Sequence, residues 1–469
     1  MISITAARLL RKLMLASGRR MDIAGMLERS RRRAIRVAVL AARGSAAYRA
    51  LLQAHGVDPA SLGPHTRLET LPVLTQAGTF GRFTLAELAA AVPARDLADV
   101  LTSSGRGGPG FGFRLTRRRQ HENSWRDIDL GLQDSFGVDQ QPTLLVNCLP
   151  MGVVFRSRAV AVANVSVRED MACSILRDVG PRFAQTLLCT DPLFIRRILD
   201  RATGDGVDWP ALNTSVILGE EMLVEAQREY IAARMGIDLD GRERPLVLSS
   251  FGVAELGLNL LFETRETVNI GRALRRQASA GKEAPPARFC FNPLRVHVEV
   301  LDADAAGFGE LCFTLLDPQA VIALPRYTSG DIGRLPPRQE IAQAARQAGS
   351  AAPWLPVVAL RGRRNDRPPG LPSVEQVKQA LYRDHAVADH LSGAFRLRQE
   401  SGGRARLTLQ AASEAAADDP TLQRRLHALL AVACPAVPLA LELLAPLAFP
   451  WRPLLDHERK FTYVESAGR

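Results

Sequence analysis

Several stretches of the 469-residue chain collect the residue types that phosphate and carboxylate chemistry needs. The densest is Leu101–Thr116 (LTSSGRGGPGFGFRLT), where Thr102, Ser103 and Ser104 run into Gly105, Gly107 and Gly108. Small hydroxyl residues and glycines let a loop wrap its N–H groups and hydroxyls around a phosphate. It is not a Walker-type loop, because no Gly-Lys-Ser/Thr follows. Val216–Met222 (VILGEEM) places Gly219 and Glu220 at the end of an apolar run, and Leu248–Gly257 (LSSFGVAELG) carries Ser250, Phe251, Gly252 and Glu255. Pro325–Leu335 (PRYTSGDIGRL) contains Asp331, whose carboxylate can accept two O–H donors at once. Leu360–Asp366 (LRGRRND) contributes Arg363 and Asn365, and Asp456–Tyr463 (DHERKFTY) contributes Lys460. Each string alone also has a plainer reading: a glycine hairpin, a strand-to-helix turn with Glu220 and Glu221 near the helix dipole, a strand end, a basic linker, a charged tail.

These residues need elements to hold them. Ala98–Thr102 and Phe111–Thr116 read as strands on either side of the glycine loop, and a long helix is expected from about 117 to 136. Strands and helices then alternate: Thr143–Leu149, Gln185–Cys189, Thr214–Leu218 and Pro245–Ser250 as strands, Glu169–Val179, Pro192–Ala202 and Glu225–Met235 as helices. That alternation predicts a parallel, doubly wound α/β sheet. Residues 1–55 carry apolar positions at helical spacing, and Leu68–Gln76 reads as a linker into a helix start. Beyond residue 286 the pattern turns strand-rich, with Arg295–Leu301, Gly309–Leu315 and Val321–Tyr327. A small α+β unit follows from about Arg361, giving an expected division into a large domain, 1–360, and a small mobile one, 361–469.

Read together and in order, the strings resemble the adenylate-forming (acyl-CoA synthetase-like) superfamily, and its phenylacetate–CoA ligase-like branch in particular. Thr102–Pro109 is similar to that branch's S-S-G-T-T-G-K-P loop, with its lysine missing; Arg106 and Arg114 are the nearby cations. Leu248–Gly257 resembles its Tyr-Gly-x-Thr/Ser-Glu motif, with Ala254 in the hydroxyl position, and Pro325–Leu335 its Arg-Tyr-x-Thr-Gly-Asp motif. Leu360–Asp366 looks like the Gly-Arg-x-x-Asp hinge.

The resemblance implies a large domain of parallel sheets packed by helices with a β-rich subdomain, and ATP-dependent activation of a small carboxylic acid, with an aryl acid favoured. It implies that Thr102, Ser103, Ser104, Gly105, Gly107, Gly108, Gly219, Glu220, Ser250, Phe251, Gly252, Asp331 and Asn365 bind the nucleotide. Glu255 would ligate Mg²⁺, and Lys460 and Arg363 would act in catalysis. The acceptor would be coenzyme A or carrier-protein phosphopantetheine, with an acyl carrier protein or a second copy of the chain as partner. The segment after Asp366 (RPPGLPS) departs from the branch's Ile-Lys and glycine loop. An acyltransferase or amide-forming enzyme with weakened adenylation, and a non-catalytic binding relative, therefore stay open.

Composition narrows the classes. Lys plus Arg number 60 against 49 Asp plus Glu, a net charge of +11. The arginine excess suits an anionic partner, or reflects codon composition alone. Aromatics are 6% and no zinc-finger spacing occurs, so nucleic acid is not the expected partner. Six cysteines lie scattered in apolar runs without a C-x-x-C pair, as in a reduced, cytoplasmic protein. No run of roughly 18 apolar residues predicts a membrane span. His121 and His297 read as packing or surface residues before acid contacts.

Overall fold

Runs of Val, Ile and Leu with no polar alternation form strands buried on both faces, and those of this chain do so in its middle third. The structure, a computed structural model, describes residues 4–103, 111–241, 245–277, 285–400, 404–435, 437–451 and 461–465. In chain order the strands are β1 (Leu97–Thr102), β2 (Phe113–Arg117), β3 (Thr143–Asn147), β4 (Ala161–Asn164), β5 (Gln185–Thr190), β6 (Thr214–Leu218), β7 (Val247–Val253), β8 (Gly257–Phe262) and β9 (Ala287–Phe291). They continue with β10 (Val296–Leu301), β11 (Gly309–Leu315), β12 (Tyr327–Arg334), β13 (Val357–Arg363), β14 (Leu391–Gln399), β15 (Ala405–Ala411), β16 (Leu439–Leu444) and β17 (Val464–Glu465).

Eleven strands make one mixed sheet in the order β10-β11-β12-β13-β9-β8-β7-β6-β5-β3-β4. The half from β4 to β7 is parallel; from β8 outward every pairing is antiparallel. In the parallel half, alternate side chains serve two cores. Leu144 and Val146 pack with the helices Glu169–Asp178, Phe194–Asp205 and Glu225–Met235, while Leu145 packs against Leu132 and Phe136 on the opposite face. The antiparallel half is covered by the helix Ile23–Gly44, through Ala34 and Ala38 against Phe291 and Phe313. A separate four-stranded sheet, β16-β15-β14-β17, carries its own core of Phe395, Leu407 and Leu426 beneath the helices Val374–Arg383 and Pro420–Ala433. No helix among the described residues is long and apolar enough to cross a membrane.

The architecture follows the expected α/β alternation, with three local differences. The helix expected over 117–136 is two helices, Arg118–Asn123 and Trp125–Phe136. Ser124 separates them, its hydroxyl donating to the His121 carbonyl at 2.8 Å and competing with the helical ladder. Val321–Tyr327 is not a strand: Arg326 has φ +55°, which ends extension, and β12 starts only at Tyr327. The Arg326 guanidinium turns inward onto the Leu71 carbonyl and Glu299. After a short 3-10 turn at Leu68–Thr70, this leaves Leu71–Thr75 extended, with Leu74 bridged to Tyr327, and a turn follows from Gln76 in place of the expected helix start.

The change of direction at β7 is held by a buried ion network. Arg228 donates from Nη2 to Glu263 at 2.8 Å and from Nε to Glu225 at 3.0 Å, and also reaches the Val247 carbonyl. Glu263 in turn accepts the Ser249 backbone N–H at 2.7 Å. All three charged residues are under 7% exposed, so removing one partner leaves an uncompensated buried charge. Arg228→Met is therefore expected to lower unfolding free energy by about 3–5 kcal/mol, and the double variant Arg228→Met/Glu263→Gln by clearly less. Urea denaturation of the three proteins checks this; an unchanged midpoint in the single variant would show that the network is not stabilising β7.

Candidate active site

One cavity of about 890 Å³ lies over the β7 junction and gathers side chains from most of the strings read in the sequence. Gly219 and Glu220, at the end of β6, line it, as do Ser250, Phe251 and Gly252 on β7. Asp331 from β12 and Arg363 from β13 enter from the antiparallel half. Segments over a hundred residues apart in the chain thus share one space.

Asp331 and Arg363 face each other across the β12–β13 register, with Arg363 Nε 3.4 Å from Asp331 Oδ1. Asp331 is only 3% exposed and also accepts the Ser329 hydroxyl at 2.6 Å. The Asp331 charge holds the Arg363 guanidinium above its usual pKa. The glycine between Arg361 and Arg363 has a steric reason. Gly362 has φ +113°, and a Cβ there would collide with the Glu375 carboxylate at the start of the helix Val374–Arg383.

Gly219 donates its N–H to the Thr190 carbonyl at 2.9 Å, and Glu220 takes φ +70°. The turn is therefore tight, and the next helix starts only at Glu225, so neither Glu220 nor Glu221 sits in its first turn. Ser250 donates to Asn259 Oδ1 at 2.9 Å, and Phe251 packs on Phe313 with ring centroids 5.7 Å apart.

The β1–β2 hairpin lines the cavity through Ala98, Asp99, Leu101, Arg114 and Thr116, whereas Thr102, Ser103 and Glu255, at the glycine loop's base, do not line it. Ser103 and Gly112 close that base with two hydrogen bonds, Ser103 N–H to the Gly112 carbonyl at 2.9 Å and Gly112 N–H to Ser103 Oγ at 2.8 Å. Thr102 is exposed at the end of β1. Glu255 is buried and lies so close to Gly112 that no side chain fits there. Its carboxylate accepts the Tyr327 hydroxyl, and burial together with that charge pushes the Tyr327 pKa up. Among the described residues no three His, Cys, Asp or Glu side chains gather as a metal-binding group. A single carboxylate beside a phosphate loop still fits Mg²⁺, which takes one or two protein carboxylates plus substrate phosphates.

Some expected residues are not brought in. Asn365 is exposed and does not line the cavity. Ser104, Gly105, Gly107, Gly108 and Lys460 lie outside the described residues. His121 lines the cavity; His297 does not, and pairs with Ser30 Oγ at 3.0 Å behind the sheet.

Two residues, Lys378 and Tyr463, escaped the sequence reading, and Glu221 was read only as a helix-dipole residue. Lys378, 3% exposed in its side chain, donates to Glu221 Oε2 at 2.8 Å, and the Tyr463 hydroxyl donates to the same oxygen at 2.7 Å. Lys378 also sits 4.3 Å from the Tyr463 ring centroid. The one available signal was scarcity: the chain has four lysines, and Lys378 falls on the apolar face of a helix.

No family profile matches the chain, and no curated protein matches it in sequence. Solved structures do match in fold. 2-Hydroxyisobutyryl-CoA ligase in the postadenylation state, in complex with 2-HIB-AMP, superposes with a TM-score of 0.69 at 14% identity, over 95% of this chain and 90% of that one. An open conformation of the same ligase, with 2-HIB-AMP and CoA, gives 0.54 at 13% identity, over 95% and 91%. A keto acid-selecting NRPS module containing adenylation and ketoreductase domains gives 0.52 at 13% identity, over 79% of this chain and 33% of that one. The chain therefore has the adenylate-forming ligase fold.

Asp191, at the end of β5 beside Glu221, generates a pH prediction. Burial pushes its pKa up to about 7, the Glu221 and Glu220 charges add to this, and the N–H groups of Phe194 and Leu193 only partly oppose it. The folded pKa lies above the unfolded one, so the stabilising protonated form is lost as pH rises through about 7. Relative to Asp191→Asn, the natural protein should lose about 3–4 kcal/mol of stability between about pH 4 and pH 8. Parallel pH–stability curves for the two proteins would refute it.

Proposed function

We propose that the chain is an AMP-forming acid–thiol ligase. It would join ATP to a small carboxylic acid, giving an acyl-adenylate and pyrophosphate, and then pass the acyl group to the thiol of coenzyme A or of a carrier protein's phosphopantetheine. The carrying observation is the convergence of Gly219–Glu220, Ser250–Gly252, Asp331 and Arg363 on one cavity. The fold shared with an acid–CoA ligase supports it.

In this reading the acid's carboxylate oxygen attacks the α-phosphorus and the bond to the β-phosphate oxygen breaks. No side chain needs to bond covalently; the protein positions the reactants and neutralises charge. Asp331 accepts the ribose hydroxyls, with Arg363 fixing its carboxylate and reaching the nucleoside. Phe251 and Gly252 flank the adenine. Ser103 and the loop after it hold the phosphates. Glu255 would hold a magnesium ion, which when bound offsets phosphate charge. Lys460 is assigned by motif order to the cation of the adenylation step.

Residues 1–360 act as the large domain, and 361–469 as a small one that pivots near Asn365 to admit the acceptor. The phenylacetate–CoA ligase-like branch, its aryl acids and a cytoplasmic setting belong to the same reading, on the strength of the motif strings. The absence of a lysine from Thr102–Thr116 favours a second reading, acyl transfer or amide formation with weak adenylation.

ATP–pyrophosphate exchange over a panel of carboxylic acids tests the choice. Exchange with at least one acid is expected, and Asp331→Asn should raise the KM for ATP by about 10- to 100-fold through loss of charge-assisted hydrogen bonds. Absence of exchange with every acid would sink the ligase reading. Acyl transfer from a supplied thioester without exchange would establish the second.

A further inference from the structure

Beyond the nucleotide residues, the cavity wall holds two arginines that the proposed reaction does not use. Arg114 on β2 and Arg295, just before β10, converge over the backbone of Gly257. Arg114 Nη1 stands 3.4 Å, and Arg295 Nη2 3.7 Å, from where a Cβ on Gly257 would be. Both are ordinary van der Waals distances, so the two guanidiniums rest against the same point of the backbone.

Their partners are unequal. Arg295 is anchored, donating to the carbonyls of Asn259 and Leu258 at 2.8 Å each, with Asp127 at 3.8 Å from its Nε. Arg114 donates no hydrogen bond among the described residues, although its planar guanidinium carries five N–H donors. Asp317, Asp99 and Asp127 act on it through their charge, but none makes an ion pair or hydrogen bond with it among the described residues. Asp317 accepts from Gln120 at 2.6 Å and from the Gln319 N–H at 2.9 Å, and Asp127 is 63% exposed in its side chain. Burial pushes the Arg114 pKa down, and the neighbouring Arg295 charge adds to it. A partly desolvated cation beside a like charge is costly unless an anion compensates it.

Position suggests which anion. Asn259, whose carbonyl anchors Arg295, accepts the Ser250 hydroxyl through its own side chain. The arginine pair is thus one residue away from the Ser250–Gly252 wall of the cavity.

We propose that Arg114 and Arg295 form an oxyanion subsite of this cavity that takes a carboxylate or phosphate group outside the ATP triphosphate. The favoured source is a second carboxylate on the acid being activated, which makes the substrate class a dicarboxylic acid; a phosphate of the acceptor is the other source of the same chemistry. Arg114 supplies the bidentate contact and Arg295 the fixed charge behind it. This rests on the ligase reading for the word substrate, but the subsite itself is measurable by binding alone.

The experiment is calorimetric titration of the full chain, natural and with Arg114→Gln or Arg114→Lys. The ligands are the dicarboxylates from malonate to adipate, terephthalate, the monocarboxylates of equal length, benzoate, coenzyme A and ATP. Arg114→Gln should weaken the best dicarboxylate at least tenfold and leave its monocarboxylate counterpart within twofold, with Arg114→Lys between. A tenfold loss confined to coenzyme A supports the subsite and assigns it to the acceptor's phosphate. Loss of ATP affinity alone, equal loss for mono- and dicarboxylates, no change, or no binding of any dicarboxylate or coenzyme A to the natural protein overturns it. If no acid supports pyrophosphate exchange while the Arg114-dependent binding persists, the ligase reading fails and the subsite stands.

Discussion

The structure turns on one strand that is parallel to its neighbour on one side and antiparallel on the other. β7 pairs with β6 in the same direction and with β8 in the opposite one. A parallel neighbour needs a long crossover, whereas an antiparallel one is reached by a short turn. The turn Ala254–Leu256 therefore returns the chain immediately and leaves Ser250–Gly252 at the point where the two halves of the sheet diverge. Ligand crevices in open α/β sheets form where such connectivity changes. Here the Glu263 carboxylate, gripping the Ser249 N–H and Arg228 together, keeps that point in place. A buried ion network is weak evidence for added stability against an apolar alternative. Its directional bonds specify where the strand lies, and the cavity depends on that.

The antiparallel half supplies what a parallel sheet lacks at this point, a pair of opposed polar side chains. Asp331 and Arg363 meet because β12 and β13 are in register across a bulge. Gly333 is forced by the same bulge, since a Cβ would press on the Ala359 carbonyl. Tyr327, at the other end of β12, holds Glu255, which packs against Gly112 of the hairpin that carries the glycine loop. One strand thus sets both the Asp331 carboxylate on the cavity and the Tyr327 hydroxyl that holds Glu255.

Much of this was legible in the chain because it is local. Buried parallel strands advertise themselves as apolar runs, as at Thr143–Asn147 and Gln185–Thr190, and the strings around Asp331 and Arg363 carry their turn glycines with them. What was not legible is set by partners distant in sequence. The start of β12 depends on Arg326 reaching Leu71, 255 residues away. The break at Ser124 depends on a hydroxyl choosing a carbonyl over water. Lys378 looks like any helix residue until Glu221, 157 positions earlier, is placed against it. Arg114 and Arg295 share no motif and meet only over Gly257.

The cations of the cavity divide by how they are paired, and this bears on what the cavity is for. Lys378 is neutralised by Glu221, and Arg363 by Asp331, so neither brings free positive charge to an empty site. Arg114 is not neutralised by an ion pair or hydrogen bond among the described residues. A polyanionic ligand entering here meets dipoles and pre-paired ions on the Asp331 side, and on the Arg114 side a guanidinium that the charges of Asp317, Asp99 and Asp127 offset only in part. Pre-paired ions hold their geometry without a ligand and orient it, whereas the unpaired one gains most from a ligand's charge. On the proposed reading, a cavity built this way selects for a second anionic group as well as for a nucleotide. That group gains most at Arg114, which is half-buried without an ion pair or hydrogen bond among the described residues.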